Sequence, residues 1–381
     1  MPGGGWVRVL VGQFGGPTVV LNASLYGVLD GLARPGVTVL GVRGGGQGLL
    51  AGDLTPLSGP PPTWLRTTPG AALGSGRHRP AAEDDARLAR AAAQVDAAVL
   101  IGGNGTMALA HRLAAVSGGR LAVVGVPKTI DNDLWGTDHA PGYPSAARFV
   151  LTAVRDLATD LWAMAGFEDV RLIEVMGRNA GWLTAAASLA RRHAGDLPQI
   201  VLLPEVAVDP DALCQEVADH HRRDGSVLVI VGEGVRDRTG APLGLQPTDA
   251  TGDTQVLGGA AAELARRLRA SLGLRVRAES LGFLPRCLAA ATTSDRAEAE
   301  ALGRAAAQGV LAGRGGFMVG WADRTRGGTA VEGAVPIETP LTDVAGRDRP
   351  LPPELLDLGS TFRAWLSPLV CPLPVWPPDR L

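Results

Sequence analysis

The chain reads as an α/β protein built on mainly parallel sheets. Three observations carry that expectation. Short, uninterrupted apolar runs recur through the first 232 residues, Gly-rich turns follow several of them, and Ala/Leu-rich amphipathic stretches fill the intervals. An unbroken apolar run, rather than strict alternation, is what a strand covered on both faces requires, and alternation of such strands with helices is the pattern of a parallel sheet.

Taken in order, strands are expected at Val7–Val11, Val37–Val42, Ala97–Ile101, Leu121–Val126, Val170–Val175, Gln199–Leu203 and Val227–Val231. Helices are expected at Leu21–Leu32, Ala82–Gln94, Thr106–Val116, Ser145–Trp162, Leu183–His193, Asp211–Arg223, Gly258–Leu272 and Arg296–Ala312. Seven strands before residue 232 are compatible with two Rossmann-like lobes. Pro56–Pro62 reads as a turn-rich surface loop and Arg236–Thr254 as a second loop. The tail from Pro350 to Leu381 carries eight prolines around Trp365 and Trp376 and is expected to pack along a lobe surface.

Composition narrows the function classes. With 46% apolar and 19% charged residues, 381 residues can bury sizeable cores, which excludes wholesale disorder. A net charge of −2 argues against broad nucleic-acid or anionic-membrane binding. Cys214, Cys287 and Cys371 are scattered, without a CxxC pair, and suit a reducing cytosol better than a disulfide framework or a zinc site. No run approaches the roughly 20 apolar residues of a membrane span, and the first residues lack the basic-then-apolar order of a signal peptide. A soluble cytoplasmic protein is expected. Of the 36 basic residues, only Lys128 is a lysine; GC-rich coding accounts for the arginines, and it makes the surviving lysine worth following.

Four segments carry polar chemistry, and most sit at expected strand ends, where α/β sheets bind ligands. Gly12–Thr18 (GQFGGPT) lies between a strand and a helix, so its amides could meet an anion, although a tight turn would account for it equally. It is neither a dinucleotide fingerprint nor a Walker A loop. Leu100–Met107 (LIGGNGTM) clears side chains at Gly102, Gly103 and Gly105 beside a polyphosphate, with Thr106 able to cap the helix or donate to a phosphate oxygen. Val126–Asp133 (VPKTIDND) sets two carboxylates two residues apart beside Lys and Thr: a general base, a magnesium-organising anion and a cation for a phosphate in transfer. The fourth group is Glu174–Trp182 (EVMGRNAGW), Pro204-Glu205, Gly232–Gly234 (GEG) and Arg277–Arg286 (RAESLGFLPR), each ordinary alone.

Together and in this order, with GGP near the start, Leu73–Arg77 (LGSGR) and Gly136–Asp138 (GTD), these segments resemble the phosphofructokinase family over roughly residues 6 to 335. The resemblance implies the phosphofructokinase fold, with two α/β lobes and an active-site cleft between them. It places residues 1–142 plus 286–335 in a donor-phosphate lobe, and 143–285 plus 336–381 in an acceptor lobe. It implies magnesium-dependent phosphoryl transfer from ATP or pyrophosphate to the 1-hydroxyl of fructose 6-phosphate or a related sugar, in a homodimer or homotetramer. Asp131 matches the catalytic base, Asp133 its carboxylate partner near the metal, and Thr129 a residue beside the transferred phosphoryl. Gly16 and Arg77 match donor-phosphate contacts. Met176, Gly177, Arg178 and Glu233 match the sugar-binding set, with Arg178 near the transferring phosphate, and Arg277 and Arg286 match positions that hold the acceptor's own phosphate. Phosphoryl transfer asks for positioning and charge neutralisation, and Arg forks suit phosphate.

Four departures from the family pattern set further expectations. Asn104 stands where many ATP-using members have a magnesium-associated Asp. Gly105 leaves room for a nucleotide and favours ATP, whereas Lys128 accompanies pyrophosphate use. Asp169 replaces an Arg that reaches the acceptor's phosphate from a neighbouring subunit; Arg171, two residues on, could substitute for it. Phe283 replaces a His or Tyr that touches the same phosphate. Either Arg171 compensates, or the acceptor is another sugar, such as sedoheptulose 7-phosphate or a polyol. A ligand-binding regulatory homologue of low activity is the alternative from another class.

Overall fold

The computed structural model describes residues 7–57, 59–76, 78, 80–191, 196–246, 256–324 and 335–373. In chain order, β1 (Val7–Gln13), α1 (Leu21–Leu32), β2 (Val37–Val42), α2 (Gly45–Ala51), β3 (Leu54–Leu57), α3 (Asp85–Ala92), β4 (Ala97–Gly102), α4 (Asn104–Val116) and β5 (Ala122–Pro127) begin a first unit. Helix α5 (Tyr143–Ala163) carries the chain onward. The second unit holds β6 (Val170–Val175), α6 (Trp182–Ala186), β7 (Ile200–Leu202), α7 (Pro210–Asp224), β8 (Val227–Gly232), β9 (Leu245–Gln246), β10 (Val256–Leu257), α8 (Ala260–Leu272) and β11 (Val276–Ser280). The chain returns to the first unit with α9 (Thr293–Leu311), β12 (Phe317–Gly320), β13 (Ile337–Pro340) and α10 (Leu341–Val344), and α11 (Ser360–Val370) adds to the second.

The first unit comprises Met1–Ser145 and Arg286–Arg349, the second Ala146–Pro285 and Pro350–Leu381. The later division falls at Arg349, not at residue 335, because β13 pairs antiparallel with β12 and so draws residues 337–340 onto the first sheet. That sheet runs β13-β12-β5-β4-β1-β2-β3, parallel except at its two edges. From β1 the chain crosses to β2 on one side, while β4 pairs on the other. The β1/β4 boundary is therefore the point where strand order reverses, the position at which open α/β sheets bind ligands. Strand β4 is fully buried along its length, as its apolar run requires. Helices α1 and α9 cover one face at very close range: a β-carbon at Gly27 would lie 2.1 Å from the Glu300 carbonyl oxygen, so only glycine admits the approach.

The second sheet runs β11-β6-β8-β7, all parallel. Its core gathers Val170, Leu172, Val229 and Val231 from the strands with Leu264 and Leu268 from α8. The proline-rich tail goes further than a surface strap. Phe362 and Trp365 of α11 are buried, and Trp365 meets Trp182 at a ring-centroid distance of 4.7 Å. Trp376 lies outside the described residues. Among the described residues, no helix is long and apolar enough to cross a membrane.

Candidate active site

In the first unit, three adjacent parallel strands deliver the predicted donor residues to one end of the sheet. Gln13, at the end of β1, is buried; its side-chain nitrogen donates to the Leu21 carbonyl at 3.1 Å and Asn22 Oδ1 at 3.0 Å, and its oxygen accepts from the Leu73 amide at 2.9 Å. These bonds fix the Gly15-Gly16 turn that follows. Helix α4 opens directly after β4, with Gly103 as its N-cap. It begins at Asn104, two residues earlier than expected, so Thr106 sits in the first turn, makes no side-chain cap, and is buried against Gly102. Thr106 thus neither caps the helix nor turns outward to a phosphate. Gly105 is half-buried in the same first turn.

Beyond β5, the Lys128 amide donates to the Gly102 carbonyl at 3.0 Å, joining the two strand ends. Lys128 is 4% exposed, and its Nζ donates to the Gly16 carbonyl at 2.6 Å. Burial, and then the neighbouring Arg286 guanidinium, lower its pKa to about 8, against partial support from Asp131 and Asp133. Arg286 leans over Gly16: a β-carbon there would lie 2.9 Å from Arg286 Nη2. Arg286 therefore stands beside the donor loop. Arg77 lies outside the described residues.

The two carboxylates of TIDND differ in setting. Thr129 Oγ1 donates to Asp133 Oδ1 at 3.1 Å and accepts from the Asp131 amide at 3.1 Å, so one hydroxyl fixes both. Asp131 is half-buried. Burial, and then Asp348, raise the Asp133 pKa. Asn104 Nδ2 lies 3.0 Å from Asp133 Oδ2 and 2.8 Å from Asp348 Oδ1. Its Oδ1 is buried without a hydrogen-bond partner among the described residues.

The loop bearing these groups is braced beyond Asp133. Asn132, at φ +54°, accepts the Ala140 amide at 3.0 Å. Asp138 is buried and takes Arg324 Nε at 2.9 Å, and the buried His139 bridges Asp138 at 2.9 Å and Glu298 at 2.7 Å. Burial works against charge on His139, but Glu298 and Asp138 prevail and hold its pKa near 9. Neither His139 nor Asp348 stood out in the sequence.

In the second unit, Met176, Gly177 and Arg178 leave β6, and Glu233 leaves the adjacent β8, its amide donating to the Val175 carbonyl at 2.9 Å. Gly177 has φ +142°, and Arg178 is exposed. A β-carbon at Gly234 would lie 2.0 Å from the Arg178 carbonyl oxygen, which accounts for the glycine in GEG. Burial raises the Glu233 pKa, while the Gly177 amide pulls it the other way. Two other motif carboxylates are internal clamps. Glu174 accepts the Gly259 and Ala261 amides at 3.0 Å each, at the start of α8, and Glu205 accepts those of Gly181 at 2.8 Å and Leu351 at 2.7 Å.

At the expected acceptor end, the charges are largely committed. Asp169 takes Arg275 Nη2 at 2.6 Å, Nε at 2.9 Å and the Arg275 amide at 2.8 Å; the Arg275 hydrogen bonds draw its pKa to about 2. Arg171 is 4% exposed and forks onto Glu168 at 2.9 and 2.7 Å, with Asp160 at 2.7 Å. It is not turned out to replace a missing phosphate ligand. Arg277, with 58% of its side chain exposed, lies over the Phe167 ring and 3.6 Å from Glu168, and Phe283 is 67% exposed.

The phosphofructokinase family model matches residues 8–310. The sulfofructose kinase of Alkalicoccus urumqiensis is 35% identical over 96% of each chain. The pyrophosphate–fructose 6-phosphate 1-phosphotransferase of Xanthomonas campestris pv. campestris is 36% identical over 95% of this chain and 91% of its own. ATP-dependent 6-phosphofructokinase 1 of Thermus thermophilus is 33% identical over 93% of this chain and 99% of its own. The crystal structure of pyrophosphate-dependent phosphofructokinase from Marinobacter aquaeolei superposes with a TM-score of 0.82 at 27% identity, covering 98% of this chain and 94% of that one. With the TIDND loop, the Gly-rich turns and the two α/β units already in place, the match over most of its length makes this chain a member of the phosphofructokinase family.

Proposed function

We propose that this phosphotransferase moves the terminal phosphoryl group of ATP to the 1-hydroxyl of a fructose bearing an anionic group at the far end, with sulfofructose the preferred acceptor. The observation that carries the transfer is the convergence of Lys128, Thr129, Asp131, Asp133 and Asn104 at the ends of β4 and β5, beside Gly16 and Arg286. Asp131 takes the proton of the attacking hydroxyl as its oxygen bonds to phosphorus and the bond to the leaving phosphate breaks. Lys128, Arg286 and the N-terminus of α4 offset the donor's charge. Thr129 holds both carboxylates in register.

Magnesium fits the oxygen donors present. Asn104 Oδ1 is a buried acceptor without a partner among the described residues, and Asp133 lies beside the same amide. Those two residues would hold the ion. Magnesium characteristically keeps water and donor-phosphate ligands beside one or two protein oxygens. When bound, it neutralises charge on the donor phosphates.

The acceptor preference rests on the committed charges. With Arg171 held by Glu168 and Asp169 by Arg275, the set keeps Arg277 and the exposed Phe283 ring. One guanidinium with apolar surface suits a singly charged sulfonate better than a phosphate dianion, which asks for more donors. The kinship with a sulfofructose kinase supports this choice. Gly105 favours ATP, since it adds no side chain beside a nucleotide. Pyrophosphate is the second reading, favoured by Lys128 against the Gly16 carbonyl and by pyrophosphate-using relatives. Purified protein with magnesium, offered ATP or pyrophosphate against sulfofructose, fructose 6-phosphate and sedoheptulose 7-phosphate, tests both choices by mass spectrometry of products. The expected result is phosphorylated sulfofructose formed fastest, with ATP. Faster formation of fructose 1,6-bisphosphate would overturn the acceptor choice.

A further inference from the structure

Asp348 lies beyond residue 310, where the family match ends, yet it touches the donor site. Its Oδ1 accepts from Asn104 Nδ2 at 2.8 Å, and the same nitrogen faces Asp133 Oδ2 at 3.0 Å and the Asp133 carbonyl at 3.2 Å. A side-chain amide has two N–H donors on nitrogen and acceptor lone pairs on oxygen. Turning the amide over would set its oxygen against two carboxylates, so Asp348 and Asp133 together dictate which way Asn104 faces. The Asn104 oxygen is then left buried and without a partner among the described residues. Asp348 is itself anchored by backbone pairing: it forms an antiparallel bridge with Leu134, and the next amide, of Arg349, donates to the Asp133 carbonyl at 2.8 Å. Arg349 in turn is buried, with Nη1 on the Asp138 carbonyl at 2.7 Å.

We propose that Asp348 is a positioning residue for phosphoryl-donor binding, acting through Asn104: it holds the amide nitrogen so that Oδ1 is presented to the cation accompanying the donor. The role requires a hydrogen-bond acceptor at 348, and the acceptor sugar does not enter. The inference rests on the donor site proposed above.

Calorimetric titration of the full chain with magnesium–ATP and, separately, magnesium–pyrophosphate tests it. Asp348→Ala is expected to weaken binding of the preferred donor about tenfold, the scale of a lost hydrogen bond to a charged group. Asp348→Asn keeps an acceptor oxygen and is expected to stay within about twofold of wild type, because only the charge has gone. Acceptor binding should be unchanged in both. Asn104→Ala should cost as much as Asp348→Ala, and the double variant no more than either, since the two act as one unit. Equal losses in Asp348→Asn and Asp348→Ala would overturn the positioning role in favour of charge alone. Full additivity in the double variant would overturn it in favour of a separate structural effect. Thermal unfolding of each variant monitors folding. Wild-type protein that binds neither donor would overturn the donor reading and this inference with it, whereas wild-type binding left intact by Asp348→Ala would overturn this inference alone.

Discussion

The two units treat their motif residues in opposite ways. In the first, Lys128, Thr129, Asp131, Asp133 and Asn104 gather at the ends of adjacent strands, and their contacts with one another form the candidate site. In the second, Asp169, Arg171, Glu174 and Glu205 are taken up by internal partners that hold strands, a helix start and the tail. Equally conspicuous motif carboxylates can therefore be chemistry in one unit and scaffold in the other. What separates them is the partner: a backbone amide at a helix start neutralises a carboxylate, whereas a second carboxylate across an amide leaves it poised.

The largest effect that would break this contrast belongs to Asp131. Asp131→Ala should lower turnover by about 10²–10⁴ while donor binding and thermal stability stay near wild type, as expected for a general base. Single-turnover kinetics with calorimetry of donor binding checks this. Retained turnover would show that another group takes the hydroxyl proton. Glu174 is the opposite case. Glu174→Ala strands two amides at the start of α8 and should cost on the order of 2–3 kcal/mol of stability, the range of hydrogen bonds to a charged group. Urea unfolding measures it, and donor affinity should not move.

Lys128 sharpens the contrast through pH. Its pKa is lowered to about 8 in the free protein, so it is charged at neutral pH and neutral well above 8. Because the donor is an anion, donor affinity should fall as pH rises through 8. Lys128→Met should bind donor about tenfold more weakly at pH 7, the scale of a lost charged contact, and show little further decline at pH 9. A variant that keeps the wild-type pH profile would show that another group titrates.

Much of this was legible from residue order, for identifiable reasons. Strands β4, β5 and β8 are unbroken apolar runs because both faces are covered, and β1, β2 and β6 remain mostly apolar around Arg8, Thr38, Arg171 and Glu174. Of those that escaped notice, β12 (FMVG) shares that signature but is only four residues long, whereas β3 and β11 lack it. Strand β3 (LTPL) is an edge strand with a proline, and β11 (VRAES) has exposed polar positions. Helix α11 escaped because Pro368 lies inside it, and α2 because three of its seven residues are glycine. The TIDND residues were legible because they are contiguous. Asp348 was not: it meets Asn104 across 244 positions, in a GRDR segment that reads as an ordinary charged loop. The commitment of Arg171 was equally hidden. Its partner Glu168 is three residues away, but only the fold decides whether an Arg on a strand turns to that neighbour or to a ligand.

The smallest expected effect tests the acceptor end of the contrast. Phe283 is exposed on the loop after β11, and its ring can cover apolar surface but cannot donate a hydrogen bond. Phe283→Tyr adds one hydroxyl to an exposed ring and should leave the fold untouched. If the ring faces the anionic end of the acceptor, one new neutral hydrogen bond should raise kcat/KM for fructose 6-phosphate about threefold to tenfold relative to sulfofructose. Competition between the two acceptors in one tube, read by mass spectrometry, resolves a ratio of that size. No change in the ratio would place Phe283 outside the acceptor site and leave Arg277 as the discriminating contact, because Arg171 and Asp169 have already committed their charges to Glu168 and Arg275.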